Sequence, residues 1–471
     1  MPLTDPNRRG IRRAAIAAAV VLSLTATLAP ATAAVAAPAS TATMADRAPL
    51  AARATGTWDK SLDKSLRAVV DAGMYGIYAA ARNGSHHWRG AAGVADVKTG
   101  RPVTAGMEHR VGSVTKAFTS VAILQQVAKG RVDLDAPIAR YLPGTVPGEL
   151  GKQITVRMLL NHTSGIGDYV IGAFPSLREG STRSLDDYRY RHIAPEELVR
   201  LGLKEPRTNA PGEKHSYSNT NYVIAGLLLK KVTGQNPEAY ITHNVIKKAG
   251  LRHTYFPKSP RITGPHSKMY ENFYGLIDPP RDYSDYDMSW AGTAGALVST
   301  MDDLNHFYRQ LLGGKLLKPA ELKEMQTTVP MPGPTGEVEG HYGLGIYAID
   351  LPGCGRVWGH SGGVFGAGTN VLSSEDGRRQ VAFGINLMKY QRFDENGRLK
   401  ESPIDKALNA TLANALCDTG SGPGTGTGTG AGKNKPARGF APERTNTGPL
   451  LPSAAGPLAL DAPTLAAAAR R

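Results

Sequence analysis

Strand-like segments occur in two groups at opposite ends of the chain, and this constrains the possible folds more than any other feature. Residues 75–81 and 87–94 flank Asn83-Gly84-Ser85, a hairpin signature. Far downstream, 342–349, 356–360, 367–372 and 380–387 are short strand-like runs punctuated by Gly or Asp-Gly. The sequence between the two groups favours helices, among them 117–129, ending at Gly130, and 222–231, ending near Gly234. Residues 59–74 place Leu62, Leu66, Val69 and Val70 on one helical stripe, and 403–416 closes the patterned region with a further helix. The arrangement predicts an α+β fold in which one antiparallel sheet, built from both chain ends, is flanked by helices and holds a mainly helical inserted subdomain.

Both termini differ from this patterned region. Arg8, Arg9, Arg12 and Arg13 precede an apolar run at 14–28 and then A-x-A patterns at 31–33 and 34–36, the layout of a secretory signal over 1–36. That run is short for a membrane anchor, and none is expected. Residues 37–57 are rich in Ala, Thr and Pro and read as a linker. The tail, 418–471, opens with a Gly/Thr/Ser/Pro run whose composition favours disorder. The formal charge of +15 is spread between leader, tail and a mildly basic middle. It suits an exported, wall-associated protein, and no aromatic-plus-basic stripe argues for nucleic acid. The chain has two cysteines, Cys354 and Cys417. In an exported chain, cysteines around the last sheet and helix are expected to form a disulfide.

The chemistry is expected at Ser113-Val114-Thr115-Lys116, which opens an apolar helix. Positions i and i+3 share a helical face, so the lysine amine can take the serine proton, provided burial depresses its pKa. A helix start also supplies backbone N–H groups for a developing oxyanion. Taken alone the motif is weak: Ser61-x-x-Lys64 repeats it on the solvent face of the first helix. Likewise Tyr270-x-Asn272 duplicates Tyr217-x-Asn219, and Lys98-Thr99-Gly100 competes with His360-Ser361-Gly362. Order and flanks select Ser113/Lys116, then Tyr217/Asn219, then His360-Ser361-Gly362 after a strand. Gly359-x-Ser361-x-Gly363 also spells a nucleophile elbow, but no histidine follows His360 and the next segment reads as strand. No H-E-x-x-H occurs, and neither a metal nor another cofactor is expected.

With these motifs in order, the chain resembles the penicillin-recognising serine hydrolases of the class C β-lactamase-like group, and within them the secreted actinomycete D-alanyl-D-alanine carboxypeptidases. Supporting segments are residues 110–116, 130–135, Asn161-His162-Thr163-Ser164-Gly165, Tyr217-Ser218-Asn219-Thr220-Asn221 and Ser289-Trp290-Ala291. The resemblance covers about 58–417, a catalytic domain with its α/β part at 58–112 and about 295–417 and its helical part at 113–294. It implies a monomeric hydrolase acting through an acyl-enzyme on peptidoglycan stem peptides or related small acyl substrates, and inhibited by β-lactams. Esterase, D-amino-acid peptidase, β-lactamase and a non-catalytic penicillin-binding role stay open on the same fold.

The resemblance also implies residue roles. Ser113 is the nucleophile, Lys116 and Tyr217 move the proton, and Asn219 orients Lys116 and the substrate amide. His360 keeps a donor at the third motif, where a lysine is common, while Ser361 and Gly362 contact substrate. Backbone N–H groups of Ser113 and Gly363 form the oxyanion hole, and Phe174 and Trp290 wall the cleft. Two departures stand out. Gly363 replaces a hydroxyl residue, and Tyr347-Ala348-Ile349 carries no cation where an arginine would meet a terminal carboxylate.

Overall fold

A computed structural model describes residues 56–333, 336–352, 354–395 and 399–417. The leader, all but the end of the linker, and the tail lie outside the described residues. Nine strands form the main sheet: β1 Gly76–Asn83, β2 His86–Asp96, β3 Arg101–Pro102, β4 Val329–Pro332, β5 Val338–Tyr342, β6 Tyr347–Leu351, β7 Gly355–Val364, β8 Ala367–Ser374 and β9 Arg379–Ile385. Their spatial order is β3-β2-β1-β9-β8-β7-β6-β5-β4, and neighbouring strands are antiparallel throughout. The N-terminal hairpin thus joins the C-terminal strands through β1 and β9, with Ile77 opposite Ile385 and Asn83 opposite Arg379. The α+β fold read from the sequence is the one observed.

Helices cover both faces of this sheet. α1 (Thr57–Asp71) buries Leu62, Leu66 and Val69 on its apolar stripe, while Lys64 is exposed. It lies beside α5 (Pro403–Leu416), tied by Trp58 Nε1 to Asn414 O at 3.1 Å and Asn414 Nδ2 to Ser65 Oγ at 2.8 Å. α5 starts at a capping box in which Ser402 and Asp405 satisfy each other's backbone, with Pro403 at the first position. On the opposite face α4 (Met301–Leu312) sends Asn305 Nδ2 to Ala80 O at 2.9 Å. A disulfide joins Cys354, in the β6–β7 turn, to Cys417 at the end of α5.

α2 (Thr115–Val127) is buried from Thr115 through Leu124, and α3 (Asn219–Thr233) from Asn219 through Leu229. Helices apolar on nearly every side belong in an interior. The polar residues at their first turns are therefore carried into a dry environment. One expected strand, 342–349, is divided. The chain turns at 343–346, where Gly345 has φ 80° and its Cα lies against α2: a Cβ there would meet Ser120 Oγ at 2.3 Å. Only glycine permits that approach. Likewise the expected strand 380–387 ends at Ile385, and Leu387–Met388 pairs in parallel with Tyr270–Glu271.

Candidate active site

Ser113 occupies a 3-10 turn, Gly112–Val114, that leads directly into α2. Gly112 has φ 52°, and a Cβ on it would lie 2.7 Å from Gly363 N; a Cβ on Gly362 would lie 2.0 Å from Val111 O and 3.1 Å from Ser113 N. The paired glycines let β7 close against the nucleophile turn. Ser113 and Gly363, whose N–H groups were expected to bind an oxyanion, accordingly sit on adjoining backbones.

Lys116 follows one turn into α2 and is 0% exposed; Ser113 is 4% exposed. The Lys116 Nζ lies 3.1 Å from Ser113 Oγ, 2.8 Å from Asn219 Oδ1 and 2.7 Å from Ala294 O. Burial depresses its pKa from 10.5 to about 7, against a smaller upward pull from Asp168. A neutral amine has two N–H groups and one lone pair. The two carbonyl oxygens can only accept, so they take the N–H groups and leave the lone pair for the serine hydroxyl.

Asn219 is held in turn. Asp168 Oδ2 accepts from Asn219 N at 2.9 Å and from Asn219 Nδ2 at 2.7 Å, and Asp168 Oδ1 accepts from Val170 N. Burial raises the Asp168 pKa, opposed by these hydrogen bonds. More of the 162–168 segment cradles 216–221. His162 O accepts from Ser216 N, His162 Nδ1 from Ser218 N, and Gly167 O from the hydroxyls of Ser218 and Thr220. Because Ser218 N is a donor, the His162 proton sits on Nε2; burial holds its pKa well below 6.5.

The Tyr217 ring lies 4.2 Å from the His162 ring and 4.9 Å from Lys116 Nζ. Its hydroxyl is close enough to Ser113 for the serine to act on its ionisation, but has no hydrogen bond of good geometry. Burial raises its pKa well above 10, so it is a neutral phenol at ordinary pH. His360 is buried with both ring nitrogens engaged, Nε2 with Tyr342 Oη at 2.8 Å and Nδ1 with Ser361 O. Burial, aided by Lys116, lowers its pKa to about 3. It is neutral, and the donor expected of it is spent on its own backbone.

A cleft of about 410 Å³ opens over this group, lined by Ser113, Tyr217, His360, Ser361, Gly362 and Gly363 among others. Phe174 and Trp290, expected as its walls, are placed away from its lining. They are 1% and 5% exposed, pack against Phe365, and do not line this cleft. Tyr217, Tyr274, Tyr342, Tyr347, Phe383 and Tyr390 supply its aromatic lining. Asp168 and Tyr342 were not singled out from the sequence; for Asp168 the contact with Asn219 spans 51 residues and leaves no local pattern. Among the described residues, no three His, Cys, Asp or Glu side chains gather as a metal site would require.

The sequence matches the family described as Beta-lactamase over residues 62–401. Among curated relatives, Esterase EstB of Burkholderia gladioli is 34% identical over 217 residues, 45% of this chain and 53% of that protein. The Putative penicillin-binding protein PbpX of Bacillus subtilis is 27% identical over 296 residues, 61% of this chain and 66% of that protein. The chain thus spans from 38% to 66% of the length of these and similar curated relatives. Among solved structures, a D-stereospecific amidohydrolase from Streptomyces sp. is 34% identical with a TM-score of 0.66, over 77% of this chain and 99% of that one.

Proposed function

Since the chain belongs to the beta-lactamase family, we propose that it is an exported serine hydrolase that cleaves amide or ester bonds through an acyl-enzyme on Ser113. The observation that carries this is the buried Lys116 amine, whose two carbonyl partners leave its lone pair facing the Ser113 hydroxyl. Lys116 takes the hydroxyl proton as Ser113 Oγ bonds to the substrate carbonyl carbon. The negative charge on the carbonyl oxygen is met by the N–H groups of Ser113 and Gly363. The lysine ammonium formed lies over the faces of Tyr217 and Tyr222, at 4.9 and 5.4 Å, which favour a cation. The proton then passes, with Tyr217 as neutral relay, to the leaving nitrogen or oxygen as the C–N or C–O bond breaks. Water releases the acyl group by the reverse sequence.

We assign acyl donors of D configuration as the substrate class. The similarity to a D-stereospecific amidohydrolase along nearly that protein's whole length supports this reading. D-alanyl-D-alanine carboxypeptidase activity is a second reading, supported by the order of the three motifs; Gly363 and the uncharged Tyr347 weaken it. The leader and the Cys354–Cys417 disulfide support export to an oxidising compartment. The test is a panel of D- and L-aminoacyl amides, p-nitrophenyl esters, D-Ala-D-Ala peptides and benzylpenicillin, read by turnover and intact mass. The reading expects turnover of D-aminoacyl amides over their L forms and an acyl adduct lost in Ser113→Ala. Binding without turnover or adduct would contradict it.

A further inference from the structure

The cleft wall beside the catalytic turn holds buried polar atoms that the reaction does not use. Ser361 on β7 is directly opposite Asn370 on β8, and Tyr347 on β6 is opposite Gly359, two residues before Ser361. The two-residue period places Tyr347, Ser361 and Asn370 on one face of the sheet. All three line the cleft, and Tyr347 and Asn370 are each 2% exposed. Asn370 Oδ1, Asn370 Nδ2 and Tyr347 Oη have no hydrogen-bond partner among the described residues. The Tyr347 hydroxyl lies toward Ser361 and Asn370, near enough for both to act on its ionisation, without a formed bond to either.

Resting on the acyl-transfer reading above, we infer that Tyr347, Ser361 and Asn370 form a subsite for an uncharged carboxamide on the substrate, and select against a free carboxylate. An asparagine amide presents both a donor and an acceptor, and a hydroxyl presents both; a carboxamide matches all of them, whereas a carboxylate supplies only acceptors. It would leave Asn370 Oδ1 facing negative charge. A buried carboxylate also needs a cation. The one Lys or Arg among the residues lining the cleft is Lys389, whose Nζ is held by Glu271 Oε2 at 2.8 Å. The lining histidines, His215 and His360, are kept neutral by burial.

The experiment compares an acyl-D-Ala-D-Ala peptide with its C-terminal amide in the full chain, as kcat/KM, with a p-nitrophenyl ester reporting Ser113 acylation in parallel. Wild type is expected to prefer the amide by at least about tenfold. Asn370→Leu should move the ratio toward one, chiefly by raising KM for the amide. Should that variant not fold, Tyr347→Phe carries the same expectation with less change in volume. Equal use of the two peptides, preference for the carboxylate, or an unchanged ratio in the folded variants overturns the inference. So does a failure to cleave either peptide while the ester still acylates Ser113, which leaves the acyl-transfer reading standing. No acylation of Ser113 by any probe overturns both.

Discussion

At the floor of the cleft, Lys116, Asn219 and Asp168 are joined by hydrogen bonds of 2.7 to 2.9 Å. Along its wall, Tyr347 and Asn370 are as buried as Lys116 and Asn219, yet hold polar atoms without partners among the described residues. Burial is common to both regions; satisfaction is not. A buried polar group left unpaired costs of order 1–3 kcal/mol. In the floor, the hydrogen-bond geometry is complete before any substrate arrives, which is what electrostatic preorganisation requires. In the wall it awaits completion by the substrate. Changes in the floor should therefore act on turnover, and changes in the wall on binding.

The largest expected effect comes from removing the base. Lys116→Met should lower kcat by about a thousandfold or more while the ester KM stays within a few fold, since general-base catalysis contributes about 10²–10⁴. A comparable loss in KM would erase the distinction between floor and wall. Asp168→Asn comes next, lowering kcat by about tenfold through poorer placement of Asn219. It should also move the acid limb of the pH profile to lower pH, because the Asp168 charge raises the Lys116 pKa and its removal lets that pKa fall. An unmoved or alkaline-shifted limb would show that Asp168 does not act on the lysine.

Tyr347→Phe, in the wall, should raise KM a few fold, about 1 kcal/mol, with kcat unchanged. Smallest in turnover is loss of the Cys354–Cys417 disulfide, remote from the floor. Cys354→Ser should leave kcat/KM unaltered while lowering unfolding stability by about 4 kcal/mol, the loop-entropy expectation for a 63-residue separation. Chemical denaturation measured beside activity separates the two quantities.

The floor was partly legible because one of its contacts is local: Ser113 and Lys116 are three residues apart on a helix, a spacing with a fixed geometry. The bounds of α5 and the existence of the N-terminal hairpin were legible for the same reason, being set by capping, periodicity and turn residues, although β1 and β2 each run two residues past their expected ends. Asp168 was not, since its partner comes from a chain return that no periodicity announces. Phe174 and Trp290 show a second limit. Aromatic identity predicts burial but not whether a ring lines a cleft, and here both rings pack against Phe365. The expected strand 342–349 missed its turn because Gly345 is required by α2, which lies far away in sequence.

Acylation kinetics of Ser113 as a function of pH test the central claim most directly. A stopped-flow burst with a p-nitrophenyl ester between pH 5 and 9, followed by peptide mapping of the trapped adduct, reads both the site and the base. The account predicts label on Ser113 and a burst rate that rises with pH through a single step near 7, where Lys116 loses its proton. The buried His215 and His360 titrate near 4 and 3 and cannot supply that step. Label on another residue, or a burst rate flat from pH 5 upward, would contradict it.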